Sequence, residues 1–160
     1  MRTAGECVLL LFMVSGCMDG ADTEYLDLDI PECKDTEVGR GCLTINVRVD
    51  ETVEKNIRGD ARGTLHWGLY HGGDVGLFGP GDNEDVAGGE IPDADFSVSG
   101  TVLAIITPNL EARSYQVLCY LDDNGSGESD EGDIVTLPFG EFTLDENEHL
   151  AVTAELNYVR

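Results

Sequence analysis

Four apolar residues on alternate positions, Leu43, Ile45, Val47 and Val49, are separated by Thr44, Asn46 and Arg48. That two-residue period commits the segment to an extended strand with one face on a core and the other in water. The same period recurs down the chain. Leu65, Trp67 and Leu69 share a face in "GTLHWGLYH", as do Tyr115, Val117, Cys119 and Leu121 in "SYQVLCYL". "LAVTAELNYV" alternates from Leu150 to Tyr158, and "FTL" is a short further strand. "DFSVSGTVLAIIT" alternates through Phe96 and Val98, then shifts phase at Gly100, where a β-bulge is expected. No stretch carries the apolar period of a helix of useful length. Six or seven half-buried strands, broken by clusters of Gly and Asp, predict an all-β domain: an antiparallel two-sheet sandwich of about seven strands.

With 160 residues, 41% of them hydrophobic, the chain has enough for one modest core. Its formal net charge is −23, so the surface repels phosphate backbones and anionic headgroups. Nucleic-acid binding and electrostatic membrane docking are therefore poor expectations, whereas such a surface attracts cations and basic partners, solubility alone being the alternative reading of the acidity.

The N-terminus has a separate logic. "CVLLLFMV" is far shorter than the ~20 apolar residues that span a bilayer, and small residues follow it. Residues 1–16 read as a signal peptide. Val14-Ser15-Gly16-Cys17 resembles the lipobox of bacterial lipoproteins. That resemblance implies that Cys17 is acylated, that the preceding peptide is removed, and that the exported protein is tied to a membrane by lipid. Met18 follows Cys17 where an Asp would resemble an inner-membrane retention signal, so the resemblance points to the outer membrane. Residues 17–40 hold eight acids and little apolar pattern, as expected of a self-repelling tether. The sandwich is assigned to 41–160, with a soft boundary because "YLDLDI" alternates like a strand. Its strand pattern is similar to transthyretin-like and immunoglobulin-like sandwiches.

"LDDNGSGESDEGD", residues 121–133, carries six carboxylates and three glycines. From Asp122 it resembles the calcium loop of EF-hands and dockerins, D-x-[DN]-x-[DNS]-G with an acid at the twelfth place. On that resemblance Asp122, Asn124 and Ser126 offer side-chain oxygens and Gly127 provides the bend. Glu128 offers its backbone carbonyl, Asp130 binds directly or through water, and Asp133 closes the loop. The closing residue is an Asp where EF-hands carry a bidentate Glu, and the flanks read as strands. The resemblance thus implies a calcium clip on a β-hairpin and excludes a helix-opening sensor. The competing reading is a plain acidic turn, because Asn124-Gly125 alone signals a type I′ hairpin.

Among the other cysteines, Cys33 and Cys42 are the preferred disulfide, with a bridge to Cys119 as the alternative. His66, His71 and His149 form no ligand motif. His66 and His71 are five apart and so lie on opposite strand faces, with His66 expected to face solvent. Residues 71–95, with seven glycines and seven acids, read as one long irregular stretch. Leu77 and Phe78 at its centre are expected to fold back on the sheet edge, a binding loop being the alternative. There is no nucleophile elbow, no phosphate-cradling loop and no carboxylate pair suited to catalysis. The function expected is non-catalytic: an anchored, calcium-stabilised binding or structural module. A small-ligand carrier and, behind it, an extracytoplasmic hydrolase are the alternatives.

Overall fold

The computed structural model describes residues 33–54, 61–138 and 140–160; the expected signal peptide at 1–16, Cys17 and residues 18–32 lie outside them. The described strands are β1 (Gly41–Val49), β2 (Arg62–His71), β3 (Ala87–Asp95), β4 (Leu103–Leu110) and β5 (Arg113–Asp122). They continue with β6 (Ile134–Val135), β7 (Phe142–Leu144), β8 (His149–Leu156) and β9 (Tyr158–Val159). A single helical turn, α1 (Glu51–Glu54), follows β1, its start capped by the Asp50 carboxylate, which accepts the Thr52 N–H at 2.8 Å.

The expected all-β sandwich of two sheets is what forms. One sheet has the order β4-β1-β8 and the other β3-β2-β5-β6-β9, with β7 also on β5. Leu43, Ile45 and Val47 of β1 face Leu65 and Leu69 of β2 and Tyr115, Cys119 and Leu121 of β5 in one buried core. These are the residues whose alternation marks the strands in the sequence.

Three features depart from expectation. First, β1 and β8 run parallel, Cys42 opposite His149 through Val49 opposite Leu156, so the pairing is not antiparallel throughout. Second, the last nine residues of the 71–95 stretch are strand. As an edge strand on β2, β3 buries little of itself, and Gly88, Gly89, Glu90 and Pro92 give it no apolar alternation. Its ladder is lent by β2, with Leu69 opposite Ala87 and Trp67 opposite Gly89. Third, Val98 is exposed and Gly100 has φ +83°; the Thr101 N–H closes a turn on the Val98 carbonyl at 3.1 Å. The expected bulge is a turn, and β4 starts only at Leu103.

The strands define two poles. β1 begins and β4 ends at the pole where β2 ends and β5 begins, since Arg40, His71, Ala87, Leu110 and Tyr115 line one cleft there. The chain enters the domain at this pole. Cys33 and Cys42 are at disulfide distance, with sulfurs 1.96 Å apart. Two asparagines at positive φ, Asn109 and Asn147, accept the backbone N–H groups of Glu37 (2.6 Å) and Gly39 (2.8 Å) through their side chains. Residues 33–40 are thereby stitched to the domain. The far pole holds the end of β5 and the 122–133 loop, about 30 Å away along a ten-residue strand.

Candidate functional site

β5 alternates until Leu121 and then delivers Asp122 to the far pole, where its side chain is turned inward and is only 3% exposed. A carboxylate cannot be buried without partners, and this one has four. Its Oδ1 accepts the backbone N–H groups of Asn124 (3.2 Å), Gly125 (2.7 Å) and Ser126 (3.2 Å); its Oδ2 accepts that of Gly127 (2.8 Å). The loop is wound round this residue. The Gly127 N–H first, then those of Gly125, Ser126 and Asn124, hold the Asp122 carboxyl below the ordinary carboxylate range, against the opposing effect of burial.

The winding requires positive φ at Gly125 (+74°) and Gly127 (+77°), but Asn124 does not share it. A type I′ turn needs both central residues there, so the chain does not make the simple Asn-Gly hairpin. Gly127 is the bend assigned to the sixth loop position.

The other loop residues are linked to one another. The Asn124 amide donates to Asp130 Oδ1 at 2.8 Å, and its oxygen accepts the Ser126 N–H at 2.8 Å. The Ser126 hydroxyl donates to the Glu128 carbonyl at 2.9 Å; the Glu128 side chain is exposed. Asp133, fully buried at 0% exposure, accepts the Asp130 N–H through Oδ2 at 2.8 Å. Its other oxygen, Oδ1, has no hydrogen-bond partner. Burial pushes the Asp133 carboxyl up, with the charges of Asp130 and Asp122 adding to the effect and the backbone N–H groups of Asp130 and, more weakly, Asp123 opposing it.

Two neighbouring carboxylates thus have opposite environments, one saturated with donors and one buried with an oxygen to spare. Among the described residues, no three carboxylate or imidazole atoms of the loop lie within 4.8 Å of one another. Any cation held here must therefore draw on uncharged oxygens as well, those of Asn124, Ser126 and the Glu128 carbonyl. The trio that does meet that distance is Cys33, Cys42 and His149, whose two sulfurs are tied to each other.

Several residues that frame the loop carry no signal in the sequence. Gly63 on β2 lies against the Asp122 backbone so closely that a Cβ there would fall 2.0 Å from the Asp122 carbonyl oxygen. Arg160 exchanges backbone hydrogen bonds with the loop, donating to Asp133 O (2.9 Å) and accepting from Gly132 N (3.0 Å), while its guanidinium donates to the Ser129 carbonyl. His66 does not face solvent as expected. Its ring stacks on Tyr120 with centroids 4.4 Å apart, its Nδ1 is 3.3 Å from Glu90, and its Nε2 is 3.9 Å from Asp122 Oδ2. The register that places His66 beside Tyr120 was not legible before the pairing of β2 with β5 was known.

Elsewhere, Cys119 is a free, buried thiol whose pKa burial pushes up to about 12, which makes it inert at physiological pH. His71 lies by Tyr115 at the entry pole, and His149 Nε2 is 2.9 Å from the Thr44 hydroxyl. No protein family, curated protein or solved structure matches this chain.

Proposed function

We propose that this is an exported lipoprotein, anchored through Cys17 to the outer membrane, whose sandwich is stabilised by calcium and serves as a non-catalytic binding or structural module. The observation that carries the calcium reading is the wholly buried Asp133 carboxylate with an unpartnered Oδ1, set beside the donor-wrapped Asp122. A buried anionic oxygen without a partner is costly, and a hard cation is the partner that oxygen-only surroundings select. Asp122, Asn124, Ser126, the Glu128 carbonyl, Asp130 and Asp133 would hold the ion, which would supply charge neutralisation and no chemistry. The anchored reading rests on the Val14–Cys17 motif, and the module's resemblance to transthyretin-like or immunoglobulin-like sandwiches on strand pattern.

Extracellular calcium modules bind with dissociation constants of ~10⁻⁴ to 10⁻³ M, so the decisive measurement is a calcium titration by calorimetry, paired with thermal unfolding in calcium and in chelator. Binding heat and a raised melting temperature are expected. Identical unfolding in both media, with no heat, removes the ion from the proposal.

One observation favours a second reading, the small-ligand carrier. A cleft of about 380 Å³ opens between the sheets, lined by Val117, Leu137, Phe142 and Val152 with Asn157 at hand. Displacement of an apolar fluorescent probe by hydrophobic ligands would support it, and failure of any such probe to bind would dismiss it.

A further inference from the structure

The apolar pair Leu77 and Phe78 does not fold back on the sheet edge. Leu77 is 71% exposed and Phe78 is 100% exposed. Their exposure is built in by the backbone. Gly76 and Gly79 exchange two hydrogen bonds, Gly76 N to Gly79 O at 2.9 Å and Gly79 N to Gly76 O at 3.1 Å, leaving Leu77 and Phe78 as the tip of a two-residue turn. The stem below is knitted too. The Asn83 N–H donates to the Pro80 carbonyl at 3.1 Å, and the Asn83 amide donates to the Asp74 carbonyl at 2.7 Å. The Val86 N–H returns the chain to β2 at the Leu69 carbonyl, 2.7 Å away. Such a structure holds two large apolar side chains in water, an arrangement with no benefit to the fold itself.

Placement says what they meet. The 72–86 excursion leaves β2 at His71 and rejoins β3 at Ala87, both at the entry pole. Cys33, Arg40 and Gly41 bring the chain into the domain at that same pole. From Cys17 to Cys33 the chain can span at most about 55 Å, so a membrane holding Cys17 lies within reach of this pole. The tip is also shaped for a bilayer interface. Val75 to Gly81 carries no charge, and the flanking acids, Asp74 and Asp82, Glu84 and Asp85, stand outside that run. Apolar groups can therefore enter the interfacial layer without dragging a carboxylate into it.

We propose that the Leu77–Phe78 tip is a second membrane contact, entering the interfacial layer of the bilayer to which the N-terminal lipid ties the chain. This rests on the anchored reading above and orients the sandwich with the 122–133 loop directed away from the membrane. Because the flanking residues are acidic, the preferred surface is zwitterionic, and the contact is apolar and insensitive to salt.

The test uses the full anchored chain carrying Phe78→Trp, reconstituted in phosphatidylcholine–phosphatidylethanolamine vesicles with or without brominated acyl chains. Wild type, whose one tryptophan is the half-buried Trp67, is the control. The expected result is an emission shifted to the blue and quenched at least about twofold by the brominated lipid, beyond the control and unchanged by salt. Sedimentation with the vesicles reports the anchor separately. A protein that sediments while its new tryptophan stays unquenched overturns the proposal and leaves the tip to a protein partner. If wild type does not sediment, anchoring fails. The tip is then judged with the Cys17→Ser chain, also carrying Phe78→Trp, at millimolar lipid, where quenching supports insertion and its absence refutes it. Quenching that appears only with added anionic lipid also refutes it.

Discussion

Replacing Asp133 by Asn separates a carboxylate that waits for an ion from one that merely belongs to the core. Asp133 is fully buried; its Oδ2 accepts the Asp130 N–H, the Asp123 N–H acts on the carboxyl more weakly, and Oδ1 has no partner at hydrogen-bond distance. An unsatisfied buried polar atom costs about 1–3 kcal/mol, and more when charged. In chelator, Asp133→Asn keeps the oxygen that Asp130 uses and removes the buried charge. It also removes the repulsion from the charges of Asp122 and Asp130, which act on this group. A gain of about 1 kcal/mol is expected, or roughly 4 °C in melting temperature for a domain of this size. With calcium at about tenfold excess over its dissociation constant, wild type gains about 1.4 kcal/mol and the variant gains nothing. The two proteins therefore exchange rank: the variant is the more stable in chelator and the less stable in calcium. Differential scanning fluorimetry in both media reads this directly. A variant less stable than wild type by the same amount in both would show that Asp133 is an ordinary structural acceptor and would refute the argument.

Without calcium, the raised pKa of Asp133 means that the folded state binds more protons than the unfolded state between the ordinary carboxylate range and the raised value, so stability falls as pH rises through that window. Asp122, held low, acts with the opposite sign, its contribution being lost as pH falls through its lowered pKa. Subtracting the Asp133→Asn profile from wild type should isolate the first effect; superimposable profiles would contradict it. Gly63→Ala places a methyl against the Asp122 carbonyl, which must move. Loss of about 2 kcal/mol or more in chelator, together with a weakened calcium response, is expected in urea unfolding, and a neutral result would mean that the β2–β5 contact is looser than it stands. Cys17→Ser should transfer the protein from the membrane fraction to the soluble one; retention on the membrane would end the lipid-anchor reading.

What the sequence revealed followed the apolar period. β1, β2 and β5 are central strands, and β8, at the edge of its sheet, still turns Leu150, Val152, Ala154 and Leu156 toward the core, so in each of them the alternation survives because one face is covered. β3 was illegible because an edge strand that buries only a few of its residues needs no pattern, only a neighbour's ladder. The run to Tyr158 concealed a change of sheet. At Asn157 the chain leaves β8 and crosses to β6, with the Asn157 amide oxygen accepting the Leu137 N–H at 3.1 Å. The apolar letters continue across the crossing, but Tyr158 and Val159 are both exposed there, so beyond Leu156 the pattern reports extension and no shared core face. At the loop, the spacing from Asp122 to Asp133 was visible, whereas the environments of its two inward acids were not. Those depend on how far each is carried below the surface by β5 and β6, and on Gly63 and Arg160, which are distant in sequence.

The parallel pairing of β1 with β8 joins residues 41–49 to residues 149–156, and no local contact can substitute for it. A sheet with such widely separated strands closes its largest loop late, which places the domain among slow folders, in the millisecond-to-second range. Stopped-flow refolding within microseconds would contradict this. On the proposed export route, a nucleus that stays incomplete until β8 arrives would keep the chain pliable for the length of its passage.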